Sequence, residues 1–295
     1  MSISRSPIPG SPILGTMRFG AWGADLDAGA VARLLNEAAD AGIDTLDLAD
    51  IYGDHTTNAL VGAAFARDPG LRRRFALVAK VGIVRAQRPG NALQVAHYDL
   101  SVRHLRDALA ETLRTLGVDT VDTLMLHRFD PLLQPEAIAE WIRSERDAGR
   151  VGAFGVSNFG AHALALFDGR LSIAANQIEL SLWQPSALES GDLDASRARG
   201  AVVQAWSPLG GGGALDADSA RERRIRAALD RLADMHGTDP ATLALRWVAT
   251  VPQTRVVLGS SRIDRIRQAI GACAAPLPHD AWYALWEAAR GHAVP

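Results

Sequence analysis

The chain has a single cysteine, Cys273, which excludes an internal disulfide and fits a reducing compartment. No apolar run approaches the roughly 20 residues that a membrane-crossing helix needs, so no membrane role is expected. The opening MSISRSPIPGSPILG is broken by prolines and lacks the apolar core of a secretory signal, which makes a cytoplasmic location the expectation. Neither sign of charge is in excess, with 31 Lys+Arg against 33 Asp+Glu and a net charge of −2. A nucleic acid would therefore find no basic surface, and no obligate protein partner is expected. The histidines are scattered and form no metal-ligand spacing with one another or with the cysteine. No Gly-x-Gly-x-x-Gly follows the first strand candidate, where the chain reads GTMRFGAWGADLDAG, so an open dinucleotide-binding sheet has no support. A Gly-x-Ser-x-Gly elbow is also missing, which disfavours a serine hydrolase. With no linker and no low-complexity tract, residues 1–295 read as one domain.

What is present is a 48% hydrophobic, 22% charged chain with ample core. Short apolar runs recur: ILGTM, IDTLDL, FALVAKV, VDTLMLH, AFGVSN, IAANQIE, AVVQAW and TRVVLGS. Segments of helical spacing lie between them. In residues 28–41, Val31, Leu34, Leu35 and Ala38 share one face, and Gly42 follows as a stop signal. Later, Arg103, Arg106 and Asp107 lie off the stripe formed by Val102, Leu105, Leu109 and Leu113, and read as a solvated face. Strand–helix alternation implies parallel strands with right-handed crossovers. Eight strand candidates point to an α/β fold of the closed (β/α)8 TIM-barrel type.

Active sites of such barrels gather at the C-terminal ends of the strands. There the second strand supplies Asp47 and, just beyond, Tyr52; the third supplies Lys80 and the fourth His127. Each alone is an ordinary structural residue. Together they are chemically coherent: an ammonium beside a phenol lowers its pKa, a carboxylate orients the lysine, and a histidine hydrogen-bonds a carbonyl oxygen as charge develops on it. Such a set protonates an alkoxide formed from C=O but supplies no electrons. In the same stretch, GIDTLDLADIYGDHTT, Asp44 reads as a strand-start or surface residue, Asp50 as loop support and Asp54 as a cap for the helix starting near Thr56. A Schiff-base aldolase built on Lys80 would need neither Tyr52 nor the later segments.

The order of LDLADIYG, LVAKVG, LMLHRFD, GVSNF, NQIELS, AWSPLGGG and LGSSRIDRIR resembles the aldo-keto reductase superfamily along essentially the whole chain. Within it, LADIYG, LHRFDPLL and LGGG look most like the bacterial oxidoreductases of the YdhF type. The resemblance implies a catalytic tetrad of Asp47, Tyr52, Lys80 and His127, with Tyr52 as proton donor. It also implies a nicotinamide dinucleotide held without a Rossmann motif. Ser157, Asn158 and Gln177 would hold the carboxamide, and Trp206 stands where many relatives stack a tyrosine on the ring. The run Ser207, Pro208, Leu209, Gly210 and Gly211 would follow the pyrophosphate. Gly259, Ser260, Ser261, Arg262 and Arg265 would take the adenosine end, the two arginines clamping a 2′-phosphate and so favouring NADPH. Many relatives carry a lysine-serine pair where this chain has Gly259-Ser260-Ser261. Other readings stay open on sequence alone. Ser157 and Asn158 could cap a helix, Trp206 could be core, the glycine run could be a flexible loop, and the arginines could be solvated.

Trp22, Phe129 and Trp183 are candidates for an apolar, aromatic-tolerant substrate pocket, with Trp286 a further one; Trp183 and Trp286 read equally as packing residues. The expected activity is NADPH-dependent reduction of a small-molecule aldehyde or ketone. The rival is a non-catalytic, dinucleotide-binding regulatory subunit on the same barrel, which would tolerate loss of Tyr52 or Lys80.

Overall fold

The apolar runs can bury both faces only if helices cover the outside and the sheet closes on itself. A computed structural model describes residues 10–212 and 218–295. Residues 1–9, which include most of the proline-broken opening, and 213–217, within the glycine-rich stretch read as a flexible loop, lie outside the described residues. The barrel strands are β1 (Ile13–Gly15), β2 (Thr45–Ala49), β3 (Ala76–Val81), β6 (Val121–Leu126), β7 (Val151–Ser157), β8 (Ala175–Glu179), β9 (Val202–Trp206) and β10 (Thr254–Leu258). They close in the order β1-β10-β9-β8-β7-β6-β3-β2. Every barrel pairing is parallel, as in β2–β3, where Asp47 stands opposite Val78 and Ala49 opposite Lys80. A short antiparallel ribbon, β4 (Ile83–Val84) with β5 (His97–Tyr98), rises after β3.

The first helices are α1 (Ala28–Ala41), α2 (Thr57–Arg67), α3 (Val102–Leu116), α4 (Pro135–Asp147) and α5 (Ala161–Ala165). They are followed by α6 (Asp192–Ala198), α7 (Ala220–His236), α8 (Pro240–Ala249), α9 (Ile263–Cys273) and α10 (His279–Arg290). Helix α1 buries Val31, Leu34, Leu35 and Ala38, the face its spacing predicts. Asp27 caps its start by accepting from the Ala30 amide, and Gly42 ends it at φ 110°, a left-handed conformation open to glycine. In α3, Leu105, Leu109 and Leu113 are buried while Arg103, Arg106 and Asp107 face solvent. No described helix is long and apolar enough to cross a membrane.

Two acidic residues of the opening stretch do structural work, one of them not the work expected. Asp54 does not cap α2, whose N-cap is Thr56 and has no side-chain cap. Its carboxylate accepts from Trp22 Nε1 at 3.0 Å and pairs with Arg85 at 2.9 Å, tying three loops together at the barrel mouth. Asp44, at the start of β2, pairs at 2.5 Å with the nearly buried Arg255, which also donates to Thr45 Oγ1 and to the Ser11 carbonyl. This cluster sits at the N-terminal rim, away from the tetrad. Removing one partner of a buried pair strands the other charge. Asp44→Ala is accordingly expected to lower stability by about 3–5 kcal/mol in urea denaturation. Activity per folded molecule should be retained.

Candidate active site

Strands β2 and β3 are hydrogen-bonded neighbours, and this adjacency allows a lysine and a carboxylate to be buried together. Lys80 and Asp47 are 1% and 2% exposed, and the Lys80 ammonium bonds Asp47 Oδ1 directly. The same Oδ1 accepts from Gln177 Nε2 at 2.7 Å, while Oδ2 accepts from the Tyr52 hydroxyl at 3.3 Å. One carboxylate thus joins β2, β3, β8 and the loop carrying Tyr52. Burial pulls the Lys80 pKa below its ordinary value, and Asp47 opposes that pull. Composition held a signal for this site that the motifs did not use. Lys80 is the only lysine in the chain, every other basic residue among the 31 Lys+Arg being an arginine.

Tyr52 lies edge-on to His127, with ring centroids 6.1 Å apart, and to Trp22 at 6.4 Å. Lys80 Nζ is 5.0 Å from its ring centroid. The structure therefore brings all four predicted residues together, but the electrostatics differ from expectation. The Tyr52 pKa is pushed well above its ordinary value, first by burial and then by the Asp47 carboxylate that accepts its hydrogen bond. The phenol faces the carboxylate more directly than the ammonium, so at neutral pH it holds its proton. His127 is driven far the other way, by burial and by the cations Lys80 and Arg128, and is a neutral imidazole. Arg128 itself went unremarked in the sequence. It follows His127, donates to the His127 carbonyl at 2.8 Å and to Ser157 Oγ at 3.4 Å, and lies 5.7 Å over the Trp206 ring.

Ser157, Asn158, Gln177 and Trp206 form one connected shelf. Trp206 Nε1 donates to Asn158 Oδ1 at 3.1 Å, Asn158 Nδ2 to Ser157 Oγ at 2.8 Å, and Ser157 Oγ to the Gln177 carbonyl at 3.0 Å. The cap reading of Ser157 and Asn158 fails, because Gly160 is the N-cap of α5. Asn158 and Ser207, immediately after β7 and in the turn after β9, are held at φ 56° and 50°, strain of a kind that gathers at functional sites. The Gln177 amide spends its donors on Asp47 and on Gln204 Oε1 at 3.1 Å, which leaves its Oε1 to accept. Together with the aromatic face of Trp206, this donor–acceptor set fits a nicotinamide carboxamide.

Beyond Ser207 and Pro208, Leu209 packs on the core, and Gly210 and Gly211 both have positive φ. Arg18 donates to the Gly211 carbonyl at 3.2 Å. At the adenosine end, Gly259, Ser260 and Ser261 follow β10, and Ser260 Oγ accepts from the Arg262 amide. Arg262 is tied to Asp264 of its own helix at 2.5 Å, whereas exposed Arg265 has no ion-pair partner among the described residues. Of the two expected phosphate clamps, Arg265 is the one without a carboxylate already beside it.

The proposed pocket aromatics separate. Trp22 stands against Tyr52, but Phe129 packs edge-on to Phe159 at 5.6 Å and Trp183 packs on the main core cluster. A recess of about 500 Å³ lined by Thr120, Arg143, Arg146 and Asp147 lies at the N-terminal ends of β6 and β7, on the opposite rim.

Asp50, expected to support the loop, has both carboxylate oxygens buried and lines a 50 Å³ cavity with His55, Asn58, Arg88 and Thr112. Burial raises its pKa to about 7, against an ordinary value of 3.8. The folded protein thus binds a proton at Asp50 that the unfolded chain has already released. Between those two values stability falls as pH rises. Asp50→Asn is expected to raise the melting temperature above pH 7, with the gain shrinking on acidification and gone below about pH 4. An equal gain at all pH values would show that the carboxyl is not charged at the expense of the fold.

A family model described as the aldo/keto reductase family matches residues 13–290. The chain is 35% identical to a 6-dehydroglucose reductase of Agrobacterium fabrum over 256 residues, 86% of this chain and 85% of that protein. It is 31% identical to oxidoreductase YdhF of Escherichia coli over 286 residues, 96% of this chain and 94% of that one, in keeping with the YdhF-like motifs. The glycerol dehydrogenase of Gluconobacter oxydans shares the fold, with a TM-score of 0.82 at 22% identity over 95% of this chain and 91% of that one. With the barrel, the buried tetrad and these matches in agreement, the chain belongs to the aldo/keto reductase family of NAD(P)H-dependent oxidoreductases.

Proposed function

We propose that the protein reduces an aldehyde or ketone to an alcohol with NADPH, Tyr52 giving the proton. The observation that carries this reading is the convergence of Lys80, Tyr52 and Gln177 on the two oxygens of one buried carboxylate, Asp47. Through Gln177 that cluster adjoins the amide-and-indole shelf of Ser157, Asn158 and Trp206. A nicotinamide held by Ser157, Asn158, Gln177 and Trp206 would supply the hydride that the carbonyl carbon takes up. The C=O electron pair moves to oxygen, and the Tyr52 hydroxyl, leaving its long 3.3 Å bond to Asp47, protonates that oxygen. Neutral His127 donates a hydrogen bond to the same oxygen and orients it. A phenol that keeps its proton in the resting site still serves, because the alkoxide is far more basic than the phenolate. Lys80, 5.0 Å from the centre of the Tyr52 ring, and Arg128, whose charge is felt at Tyr52, are cations placed to favour the phenolate left behind.

For the cofactor, Arg265 supports a contact to a 2′-phosphate and hence NADPH over NADH. The Agrobacterium relative is named for 6-dehydroglucose, and the mouth of this site carries Arg85, Asp54, Arg128 and Glu179. A hydroxylated aldehyde therefore belongs in the substrate panel beside simple ones. The proposed setting is the cytoplasm, in line with the lone, partly buried Cys273, and the proposed partner is the small-molecule substrate alone.

NADPH oxidation, followed optically over a panel of aldehydes and ketones, is expected with wild-type protein. Tyr52→Phe should reduce it by about 10²–10⁴-fold, the usual contribution of a general acid. Full activity in that variant would overturn Tyr52 as the donor. Arg265→Ala is expected to weaken NADPH binding by about tenfold or more, as for one lost charge-assisted contact, and NADH binding little. Equal weakening of both would remove the 2′-phosphate contact.

A further inference from the structure

Several cations around the barrel mouth and core come with carboxylates: Lys80 with Asp47, Arg85 with Asp54, Arg255 with Asp44 and Arg262 with Asp264. Arg128 departs from this pattern. It is half-buried, and among the described residues no carboxylate lies within 4.0 Å of its guanidinium. Its bonds go to neutral acceptors, the His127 carbonyl and Ser157 Oγ, and its guanidinium carbon lies 5.7 Å over the Trp206 ring. Burial already disfavours its charge, and withdrawing an unpaired cation from water is expensive. Glu179, at the end of β8, feels this charge without reaching ion-pair distance, and burial holds its own carboxyl above the usual range. Tyr98 on β5 is the other group that senses the guanidinium from outside the tetrad.

A guanidinium presents five N–H donors in a rigid fork, and the described bonds occupy only part of them. The guanidinium carbon lies 5.7 Å from the centre of the Trp206 ring, and its charge is felt at Tyr52. We propose that Arg128 recognises an anionic group on the substrate, so that the preferred carbonyl compounds carry a carboxylate or comparable oxyanion a few bonds from the C=O. This rests on the reductase reading above and adds to it the charge of the substrate. A planar carboxylate matches the fork best, and its bidentate capture would hold the carbonyl against Tyr52 and His127.

The test compares 4-carboxybenzaldehyde and 4-oxobutanoate with their methyl esters, and adds 4-sulfobenzaldehyde to separate carboxylate from sulfonate. Wild-type kcat/KM is expected to favour the acids over the esters. In Arg128→Gln the acids should lose about hundredfold, mainly through KM, as for removal of a charge-assisted pair, and the loss on the esters should be at least about tenfold smaller. Arg128→Lys should recover part of the preference, since charge is kept and the fork is lost. No wild-type preference for the acids, or equal losses on acids and esters, would overturn the proposal and place Arg128 with the cofactor or the reacting oxygen. If no carbonyl compound is reduced, the reductase reading itself fails. Calorimetry of 4-(hydroxymethyl)benzoate against its methyl ester, with NADP⁺ present, then still decides the anion preference: tighter binding of the acid, lost in Arg128→Gln, supports it, and equal binding overturns it.

Discussion

The ion pair between Lys80 and Asp47 is the constraint on which the site depends. Two opposite charges lie almost wholly out of water, on adjacent strands of a closed barrel. Neither is tolerable there alone, since breaking a buried pair costs about 3–5 kcal/mol by stranding its partner. Asp47 in turn gives Tyr52 and Gln177 a shared acceptor. Its position therefore fixes both Tyr52 and Gln177, the proposed proton donor and the proposed nicotinamide contact. The closed parallel sheet supplies what such a pair needs, a rigid low-dielectric wall with fixed register.

From that pair the charges of the remaining groups follow. Tyr52 is kept protonated by burial and by the carboxylate beside it, and His127 is kept neutral by burial and by the cations around it. Both are therefore in the form that can donate a hydrogen bond, which the proposed reaction requires when negative charge appears on the substrate oxygen. Backbone strain at Asn158 and Ser207 fits the same picture. Each lies within one residue of a strand end, where neighbouring strands over-determine the conformation.

Much of this was legible in the sequence because strand periodicity and strand ends are local signals. The eight apolar runs became the eight barrel strands, and Asp47, Lys80 and His127 stood near the ends where a barrel collects its chemistry. What the sequence could not carry was direction. Nothing local says that the Tyr52 hydroxyl turns to Asp47, or that Asp54 reaches across loops to Trp22 and Arg85 instead of capping α2. Residue type marks Phe129 and Trp183 for a pocket, and the structure adds that both are half-buried, Phe129 edge-on to Phe159 and Trp183 against the main core. Nor does anything local say that Arg262 pairs at the surface with Asp264, two residues on. The absence of an ion-pair partner for Arg128 among the described residues is likewise visible only in three dimensions.

The most direct test uses the fact that the chain has one lysine. Protein labelled with ε-¹³C lysine gives a single side-chain carbon signal, so the Lys80 ammonium can be titrated without assignment. In the folded wild type it should titrate below the ordinary 10.5, and Asp47→Asn should move it lower still, because the carboxylate is what opposes the burial penalty. A Lys80 titration unchanged or raised by Asp47→Asn would contradict the account, since the pair would then not hold the charge that organises the site.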